Sequence, residues 1–492
     1  MLMDHFGRRA ALACLLLLSA TLPACAAEAK SEEKKEAETK AKSEPSGCPK
    51  KDEPASPVAT LAAYCGKCPG IGWDCCAGGP AAPLQAVIAT VPDPTFANLG
   101  SVTDSTFDAL RLAMQKAGYV PFAVAPHGWP AQLCEKQPLN GAAGWWLFSR
   151  EGKRPGYVMI FLVAEDPVTG IRRNQLRDAF LQVAAISQQW AGGSRVPIRV
   201  LGPYFSGGGR SLADELQRSS VHEFAVSGTA SNPGLAKTFE GLRWHQLAAV
   251  DPLEQAIGFI TQEYGVRRDS IAVLSEAHTP YGAKSSSGVK TIYLPRDLSA
   301  LRRAYSQEKE LYRRMFPSGR LPQLALSVPL ADPKEQAHIP VYFDQTMPKA
   351  QETTLVALAR RLKMERTQFL GIHTTDRLDA LFLARFMTEE SANVRIFLVG
   401  SDTLFDVGNA RGSLTGTLTF SSYPIGESSQ DRMPLASDVA AGFSYALQRI
   451  LETPAGARDP DRCDPLPLYV SVLGRGGEWP IRVLSGTSPV PP

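Results

Sequence analysis

From Leu84 onward, short apolar runs alternate with amphipathic stretches, and this order restricts the fold more than any other feature of the chain. The runs at 84–91 and 157–164 are continuously apolar, which is typical of strands buried on both faces of a parallel sheet. The stretch 106–117 repeats its apolar residues at helical spacing. We therefore expect an α/β protein in which helices flank parallel sheets. The same patterns predict strands at 196–201, 271–274, 369–373 and 394–399, and helices at 175–190, 251–264, 298–315, 354–364, 377–388 and 439–451.

Length and charge limit the number of domains and the class of partner. The chain has 492 residues, which corresponds to about two to four domains. With 44% hydrophobic residues it can build real cores. Its 52 basic and 49 acidic residues nearly cancel, so we expect no nucleic-acid partner.

The first 27 residues are typical of a secretory signal peptide. Arg8 and Arg9 precede an apolar stretch, 10–18, that is too short to span a bilayer as a helix, and small residues follow it. The segment 22–25 (Leu-Pro-Ala-Cys) resembles a bacterial lipobox, which predicts lipidation of Cys25. Ordinary cleavage near Ala26 or Ala27 is the alternative. We expect a protein of the bacterial periplasm or cell envelope, with a lipid anchor as its only membrane contact.

A charged segment and a cysteine-rich segment follow. Residues 28–60 hold seven lysines, eight acidic residues and no aromatic residue, a composition that predicts a disordered tether. Five cysteines then lie close together, at Cys48, Cys65, Cys68, Cys75 and Cys76. In an oxidising compartment they favour a small disulfide-stapled segment at 61–83, and half of a zinc site is the less favoured alternative.

Motifs for catalysis are missing from the sequence. It has no H-E-x-x-H, no Walker loop and no G-x-S-x-G elbow, and its seven histidines are scattered singly. We therefore expect no enzyme, no catalytic residue, no metal and no cofactor. A hydrolase of unrecognised type is the weakest alternative.

A basic stretch interrupts the alternation of strands and helices. The predicted helix at 296–314 carries Arg296, Arg302, Arg303, Arg313 and Arg314, and a proline-rich segment, 319–349, follows it. We expect a solvated helix face beside a surface insertion, in preference to a site for an anionic partner.

Three polar loops follow predicted strands or, in the second case, an apolar segment. The loop 204–211 contains Ser206 and Gly207 within a run that includes three consecutive glycines, and it opens a helix. Such a loop suits an anion, and a plain turn with Ser211 as the helix N-cap is an equal alternative. The loop 227–233 is rich in hydroxyl groups, and Asp402 ends another strand. Ligands bind at this edge of open α/β sheets, and hydroxyl and N–H groups facing an acid would suit a zwitterion.

These residues resemble the type I periplasmic binding proteins, above all the branched-chain amino-acid receptors. The resemblance rests on 226–235 (VSGTASNPGL), 239–244, the predicted helix 251–264, and 270–276 through Tyr281-Gly282. It covers about 84–473 and follows the family's order of elements. It implies a two-lobed fold in which each lobe is a parallel sheet flanked by helices. Lobe one would span 84–245 and 414–452, and lobe two, enlarged at 290–349, would span 246–413 and 453–485.

The resemblance also implies a ligand site. Thr229, Ser231, Ser206 and Gly207 match positions that hold the ligand carboxylate, Asp402 matches the acid that takes the ammonium group, and Tyr281 lies at the hinge side. His373 or Thr374 stands where the amino-acid receptors place an aromatic residue. We therefore expect a tethered solute-binding or sensing protein for an amino-acid-like or carboxylate ligand, with an ABC-type transporter or an envelope signalling protein as its partner. The alternative is a ligand-free envelope scaffold that retains the fold.

Overall fold

The structure is a computed structural model, and its described residues belong to one compact unit, Pro54–Pro492. The described residues are 84–93, 100–124, 143–150, 156–190, 196–219, 225–232, 234–277, 279–282, 288–294, 298–299, 301–305, 348–391, 393–409, 412–423, 425, 435–452 and 466–484. The predicted signal peptide, Cys25, the tether and the cysteine-rich segment lie outside them. Within the described part of the chain, no helix has the length and apolar character needed to cross a membrane.

The first sheet has eight strands, and its centre is parallel. The order is β2-β3-β4-β1-β6-β7-β8, with β5 paired to β4. Strands β4, β1, β6, β7 and β8 run parallel, while β2 and β3 form an antiparallel edge. The strands are β1 (Leu84–Pro92), β2 (Val120–Val124), β3 (Gly144–Arg150), β4 (Gly156–Asp166), β5 (Gly170–Ile171), β6 (Ile198–Leu201), β7 (Ala225–Ser227) and β8 (Trp244–Gln246).

Helices cover both faces of this sheet, because its strands are apolar on both sides. The helices are α1 (Gly100–Lys116), α2 (Arg173–Trp190), α3 (Gly209–Ser219) and α4 (Gly234–Thr238). Along β1, Val87 and Ala89 pack in the core beneath α1, whereas Ala86 and Ile88 pack in the core beneath α2 and α3. This alternation is the period-two side-chain pattern of a strand.

The second sheet has seven strands in the order β10-β9-β11-β12-β13-β14-β15. Strands β10 to β13 are parallel, and β14 and β15 form an antiparallel edge. The strands are β9 (Ile271–Glu276), β10 (Lys290–Leu294), β11 (Phe369–His373), β12 (Arg395–Val399), β13 (Leu418–Ser421), β14 (Leu468–Leu473) and β15 (Glu478–Leu484). The associated helices are α5 (Pro252–Tyr264), α6 (Pro348–Met364), α7 (Arg377–Glu390) and α8 (Thr403–Gly408).

The chain passes repeatedly between the two sheets. It moves from β8 to α5, returns after β13, and comes back to the second sheet at β14. The last helix, α9 (Asp438–Glu452), packs Ala440, Phe443 and Leu447 into the core that lies beneath α1. Lobe one is therefore the first sheet with α1 to α4 and α9, and lobe two is the second sheet with α5 to α8.

The predicted α/β architecture with two lobes is confirmed, with one difference in the sheets. Each sheet carries an antiparallel edge in place of the wholly parallel arrangement expected. The stretch 414–421, assigned to lobe one from the sequence, was placed wrongly, because β13 pairs with β12 in lobe two. The physical reason is that an apolar run such as Leu418–Ser421 fits either sheet, and only its hydrogen-bonded neighbour identifies which one.

The prediction of a solvated face for the basic helix is wrong at Arg302. Residues 301–305 are helical, and Arg302 is fully buried. Its Nη2 lies 2.9 Å from Asp376 Oδ2 and its Nε lies 2.7 Å from Asp379 Oδ1, so two carboxylates of α7 and its cap compensate the buried charge. The remaining arginines of the stretch, apart from Arg303, lie outside the described residues.

Candidate functional site

A cavity of about 260 Å³ lies between the two lobes. Loops that follow strands of both sheets line it, together with the first turns of α1, α5 and α9. The carboxyl ends of parallel strands therefore face the cavity from both sides, which is where α/β folds place ligands.

The structure brings seven of the eight residues predicted for ligand binding around this cavity. The lining includes Ser206, Gly207, Thr229, Ser231, Tyr281, Thr374 and Asp402. His373 is outside the lining, and its ring lies against Tyr281 with the ring centroids 3.8 Å apart. His373 thus packs behind the wall that Tyr281 forms. Ligand binding by these residues remains a prediction.

In lobe one, a buried carboxylate holds the loop after β6. Glu165 is the penultimate residue of β4 and is fully buried; its Oε2 accepts from Tyr204 N at 2.8 Å and its Oε1 from Phe205 N at 2.8 Å. Burial raises the pKa of Glu165 to about 7, although these N–H groups favour its charged form. Gly208 packs against the carboxyl group, since a Cβ there would lie 2.0 Å from Oε1. Glu165, which the sequence reasoning missed, therefore fixes the position of the loop that carries Ser206 and Gly207.

Ser211 does not cap the helix that follows this loop. The helix α3 begins at Gly209, and the Ser211 hydroxyl donates to Gly208 O at 2.9 Å while it accepts from Ile171 N at 3.1 Å. The hydroxyl ties α3 to the short strand β5 instead.

The second loop of lobe one uses its hydroxyl groups internally. Thr229 Oγ1 donates to Tyr204 O at 2.6 Å, and Ser227 Oγ donates to Pro203 O at 2.8 Å. Ala230 N in turn donates to Ser227 Oγ at 3.2 Å. These bonds join the loops after β6 and β7 into one wall of the cavity.

In lobe two, Glu276 has the role that Glu165 has in lobe one. It ends β9, is buried, and accepts from Thr279 Oγ1 at 2.8 Å and from Thr375 N at 3.0 Å. The loops after β9 and β11 are therefore held together by one carboxylate. Burial raises the pKa of the neighbouring Tyr281 hydroxyl above its ordinary value, so this hydroxyl keeps its proton.

Asp402 lies on the cavity wall after β12. Its Oδ1 accepts from Leu404 N at 2.8 Å, and the residue is only 7% exposed. Burial raises the pKa of Asp402 to about 7, while the Leu404 N–H and the charge of Arg377 act in the opposite direction. A cation placed beside Asp402 would stabilise the charged form of its carboxyl group.

The sequence reasoning missed two charged residues of the cavity lining, Asp438 and Arg377, the first residue of α7. Nη1 of Arg377 donates to Val399 O at 3.0 Å and its Nη2 to Asp438 Oδ1 at 2.9 Å. Burial alone would lower the pKa of Arg377, but Asp438, Tyr281 and Asp402 outweigh burial and raise the pKa, so the guanidinium stays charged. The sequence did contain a signal for Arg377, because this residue follows the predicted strand 369–373 at the sheet edge where the loops converge.

The two lobes are in contact at the edge of the cavity. Asn232 Nδ2 of lobe one donates to Pro280 O of lobe two at 3.1 Å. Gly207 lies in the same region, because a Cβ there would be 2.0 Å from Pro167 O and 3.5 Å from Pro280 Cδ. Among the residues that the structure describes, no group of three His, Cys, Asp or Glu side chains is placed to hold a metal ion.

Comparisons with known proteins find similarity in structure but not in sequence. Neither a protein-family profile nor a curated protein matches the chain. A leucine-binding protein from Thermotoga maritima is similar at 10% identity, with 82% of this chain and 99% of that chain covered and a TM-score of 0.44. A leucine-, isoleucine-, valine-, threonine- and alanine-binding protein from Brucella ovis, in its closed conformation, has 10% identity, coverages of 82% and 97%, and a TM-score of 0.46. A solute-binding protein from R. palustris in complex with benzoate has 10% identity, coverages of 82% and 96%, and a TM-score of 0.44. These structural neighbours are type I periplasmic binding proteins, the family that the sequence resembles.

Proposed function

We propose that this chain is a secreted solute-binding or sensing protein that closes its two lobes on a small polar ligand. The observation that supports this most is the cavity of about 260 Å³, to which both lobes contribute loops. Because the contacts come from both lobes, the ligand makes all of them only when the lobes are closed. The ligand therefore binds the closed state more tightly than the open state and stabilises the closed state. The function is binding, without chemistry on the ligand.

The proposed ligand contacts follow the resemblance of the sequence. Ser206, Gly207, Thr229 and Ser231 would lie on the carboxylate side, and Asp402 on the ammonium side. Tyr281, with Thr374 and with His373 behind it, would form the lobe-two wall. An amino-acid-like or carboxylate ligand is the class that this resemblance implies. A transporter of the ABC type or a signalling protein of the envelope would bind the closed state.

A ligand-free scaffold is less consistent with the cavity, because such a protein is expected to fill its cleft with side chains. A thermal-shift screen of the natural amino acids and small carboxylates tests the proposal. A ligand at 100 times its dissociation constant stabilises the folded state by about 2.7 kcal/mol. If no compound raises the midpoint of the full chain, and if Asp402→Ala changes nothing, the amino-acid version is wrong.

Membrane attachment through Cys25 is a separate part of the proposal. A lipidated cysteine at the start of the mature protein would place the cavity beyond a tether of about 30 residues, which suits a chain that serves a membrane partner. Mass spectrometry of the mature amino terminus tests it. A start at unmodified Ala26, Ala27 or Glu28 contradicts the anchor.

A further inference from the structure

Arg377 is a charged residue of the cavity wall whose hydrogen-bonding capacity is only partly used. A guanidinium group carries five N–H groups. Nη1 donates one of them to Val399 O at 3.0 Å, and Nη2 donates one to Asp438 Oδ1 at 2.9 Å. Among the residues that the structure describes, the second N–H group of each terminal nitrogen has no acceptor, and Nε is buried without one. Arg377 can therefore bind a further acceptor through its terminal nitrogens.

The terminal nitrogens of Arg377 lie at the cavity wall. Their two acceptor residues, Val399 and Asp438, line the cavity, as does Gly400. A Cβ at Gly400 would lie 2.3 Å from Nη1 and from Nη2, so the lack of a side chain there leaves space for the guanidinium in the wall. An acceptor on a ligand can therefore approach these nitrogens from the cavity.

A second buried arginine of this protein is held by two carboxylates. Arg302 is fully buried and lies within salt-bridge distance of Asp376 and Asp379, which are buried as well. Arg377 is only 9% exposed, yet Asp438 is the one carboxylate within salt-bridge distance of it among the side chains that the structure describes. A second carboxylate beside Arg377 would reproduce the arrangement at Arg302, and a ligand can supply it.

Two hydroxyl groups of lobe one are also open to a ligand. Ser206 and Ser231 line the cavity, and neither hydroxyl forms a hydrogen bond with another residue that the structure describes. The proposed function places a ligand carboxylate at these residues, whereas Arg377 belongs to lobe two. A ligand that bridges the lobes can therefore place one acidic group at the hydroxyls and a second at the guanidinium.

We propose that Arg377 determines the ligand class, and that the ligand carries two carboxylates, the second of which pairs with this guanidinium. Short dicarboxylic acids and acidic amino acids belong to this class. The fork of N–H groups on an arginine matches the planar carboxylate in geometry and charge, and a neutral group in the same place would not use the charge. This inference rests on the proposed function, since it names the ligand class of the same cavity.

Pairs of compounds that differ only in the distal carboxylate test the inference. Glutamate is compared with glutamine, aspartate with asparagine, and glutarate with its monoamide, because each amide keeps the shape of the acid and removes one charge. Thermal-shift titrations of the full chain give the dissociation constants. We expect at least one of the diacids to bind ten-fold or more tightly than its amide.

A double variant that removes both charges of the ion pair separates recognition from structure. Arg377→Met combined with Asp438→Asn leaves neither charge buried alone, and the new amide still offers an acceptor to Ser421 Oγ, which donates to Asp438 at 3.0 Å. The ratio of the amide's dissociation constant to that of its diacid should fall to about one, because the distal carboxylate has lost its cation. A merely structural role would weaken both compounds equally and leave this ratio unchanged. The control is Arg482→Met with Glu263→Gln, which removes a pair outside the cavity lining and should keep the parental ratio.

The possible results separate the two proposals. If an amide, or any compound of the wider screen with fewer than two carboxylates, binds as tightly as the best diacid, the inference is wrong and the proposed function stands. This comparison needs only the parent chain. If the preference for the diacid persists in the double variant, the inference is wrong as well. If neither these compounds nor those of the wider screen change the midpoint, both proposals are wrong.

Discussion

Arg377 of lobe two and Asp438 of lobe one form a buried ion pair, with Nη2 and Oδ1 2.9 Å apart. Their side chains are only 11% and 13% exposed. Asp438 is the first residue of α9, and its other carboxylate oxygen accepts from Ser421 Oγ at 3.0 Å. The pair therefore links the lobes beside the cavity, close to where the chain returns from the second sheet.

Removing one partner of this pair should be costly. Arg377→Met leaves the Asp438 carboxylate buried without its cation, for which we expect a loss of about 3–5 kcal/mol in the free energy of unfolding. Urea unfolding followed by circular dichroism measures it. The control is Arg482→Met, which breaks the half-exposed pair with Glu263 and should cost less than about 1 kcal/mol. Equal losses in the two variants would show that the buried pair has no special role.

Gly400→Ala should disturb Arg377 directly. Gly400 has φ +111°, and a Cβ there would lie 2.3 Å from the terminal nitrogens of Arg377. Gly416→Ala is the matched control, because Gly416 has φ +87° with nothing within 4 Å of its Cβ position. We expect both variants to lose about 1 kcal/mol or more from backbone strain, and Gly400→Ala to lose about 1–3 kcal/mol beyond that. Unfolding midpoints that coincide would contradict the contact.

The periodicity of apolar residues predicts well which stretches form helices and strands, but it predicts poorly which strands pair with each other. The strand predicted at 369–373 is β11 to the residue, and the predicted helix at 377–388 is α7 less two residues at its end. The strand Gly144–Arg150 was not predicted although it contains a short apolar run, and its antiparallel direction has no signature in the local sequence. Pairing between strands depends on contacts distant in sequence, which local patterns do not encode.

The candidate site shows the same division. Asp402 and Thr229 could be singled out because polar residues after apolar strands meet at one edge of a sheet. Glu165 and Arg377 also lie near the ends of apolar strands, but their roles could not be predicted, because those roles depend on burial. Glu165 holds the loop after β6 because it accepts hydrogen bonds from the backbone N–H groups of Tyr204 and Phe205, which are distant from it in sequence. The sequence also gives no sign that the Thr229 hydroxyl is used by Tyr204 O.

Arg302 and Arg303 are adjacent in sequence but differ in burial, which makes them a matched pair. Arg302 is fully buried between Asp376 and Asp379, whereas Arg303 is partly exposed. Arg302→Met should lower the free energy of unfolding by about 3–5 kcal/mol, because two buried carboxylates lose their cation. Arg303→Met should stay within about 0.5 kcal/mol of the parent. Denaturant titration compares the two, and a small effect of Arg302→Met would mean that the carboxylates are compensated by other groups.

Buried carboxyl groups should make stability fall as pH rises toward neutrality. Burial raises the pKa of Glu165 and of Glu478 to about 7, well above an unfolded value near 4. Each group therefore takes up a proton on folding between these values. The contribution of each group to the free energy of unfolding is complete below pH 4 and is lost as the pH rises to about 7. The free energy falls by about 1.4 kcal/mol per pH unit for each group in this range. Unfolding at a series of pH values measures this slope.

Substitution of one of these carboxyl groups should remove its contribution to the pH dependence of the free energy of unfolding. Glu478→Gln keeps an acceptor for Thr419 Oγ1, which donates to the carboxylate at 2.6 Å, and cannot titrate. We expect its stability to vary less between pH 5 and pH 7 than that of the parent. Glu240→Gln, at an exposed position, is the control and should keep the parental profile. An unchanged profile in Glu478→Gln would show that this carboxyl group is already ionised in the folded protein.

Two helical glycines should respond in opposite directions to alanine. A Cβ at Gly442 of α9 would lie 2.0 Å from Gly228 O, so Gly442→Ala must push α9 away from the loop that carries Thr229 and Ser231. We expect a loss of about 1–3 kcal/mol from this overpacking. Gly258 lies inside α5 with nothing within 4 Å of its Cβ position, and Gly258→Ala should gain up to about 1 kcal/mol from helix propensity. Unfolding free energies of the two variants decide the matter. If Gly442→Ala is as stable as Gly258→Ala, then α9 does not pack against the Gly228 backbone, and the cavity wall at Thr229 is not set by this contact.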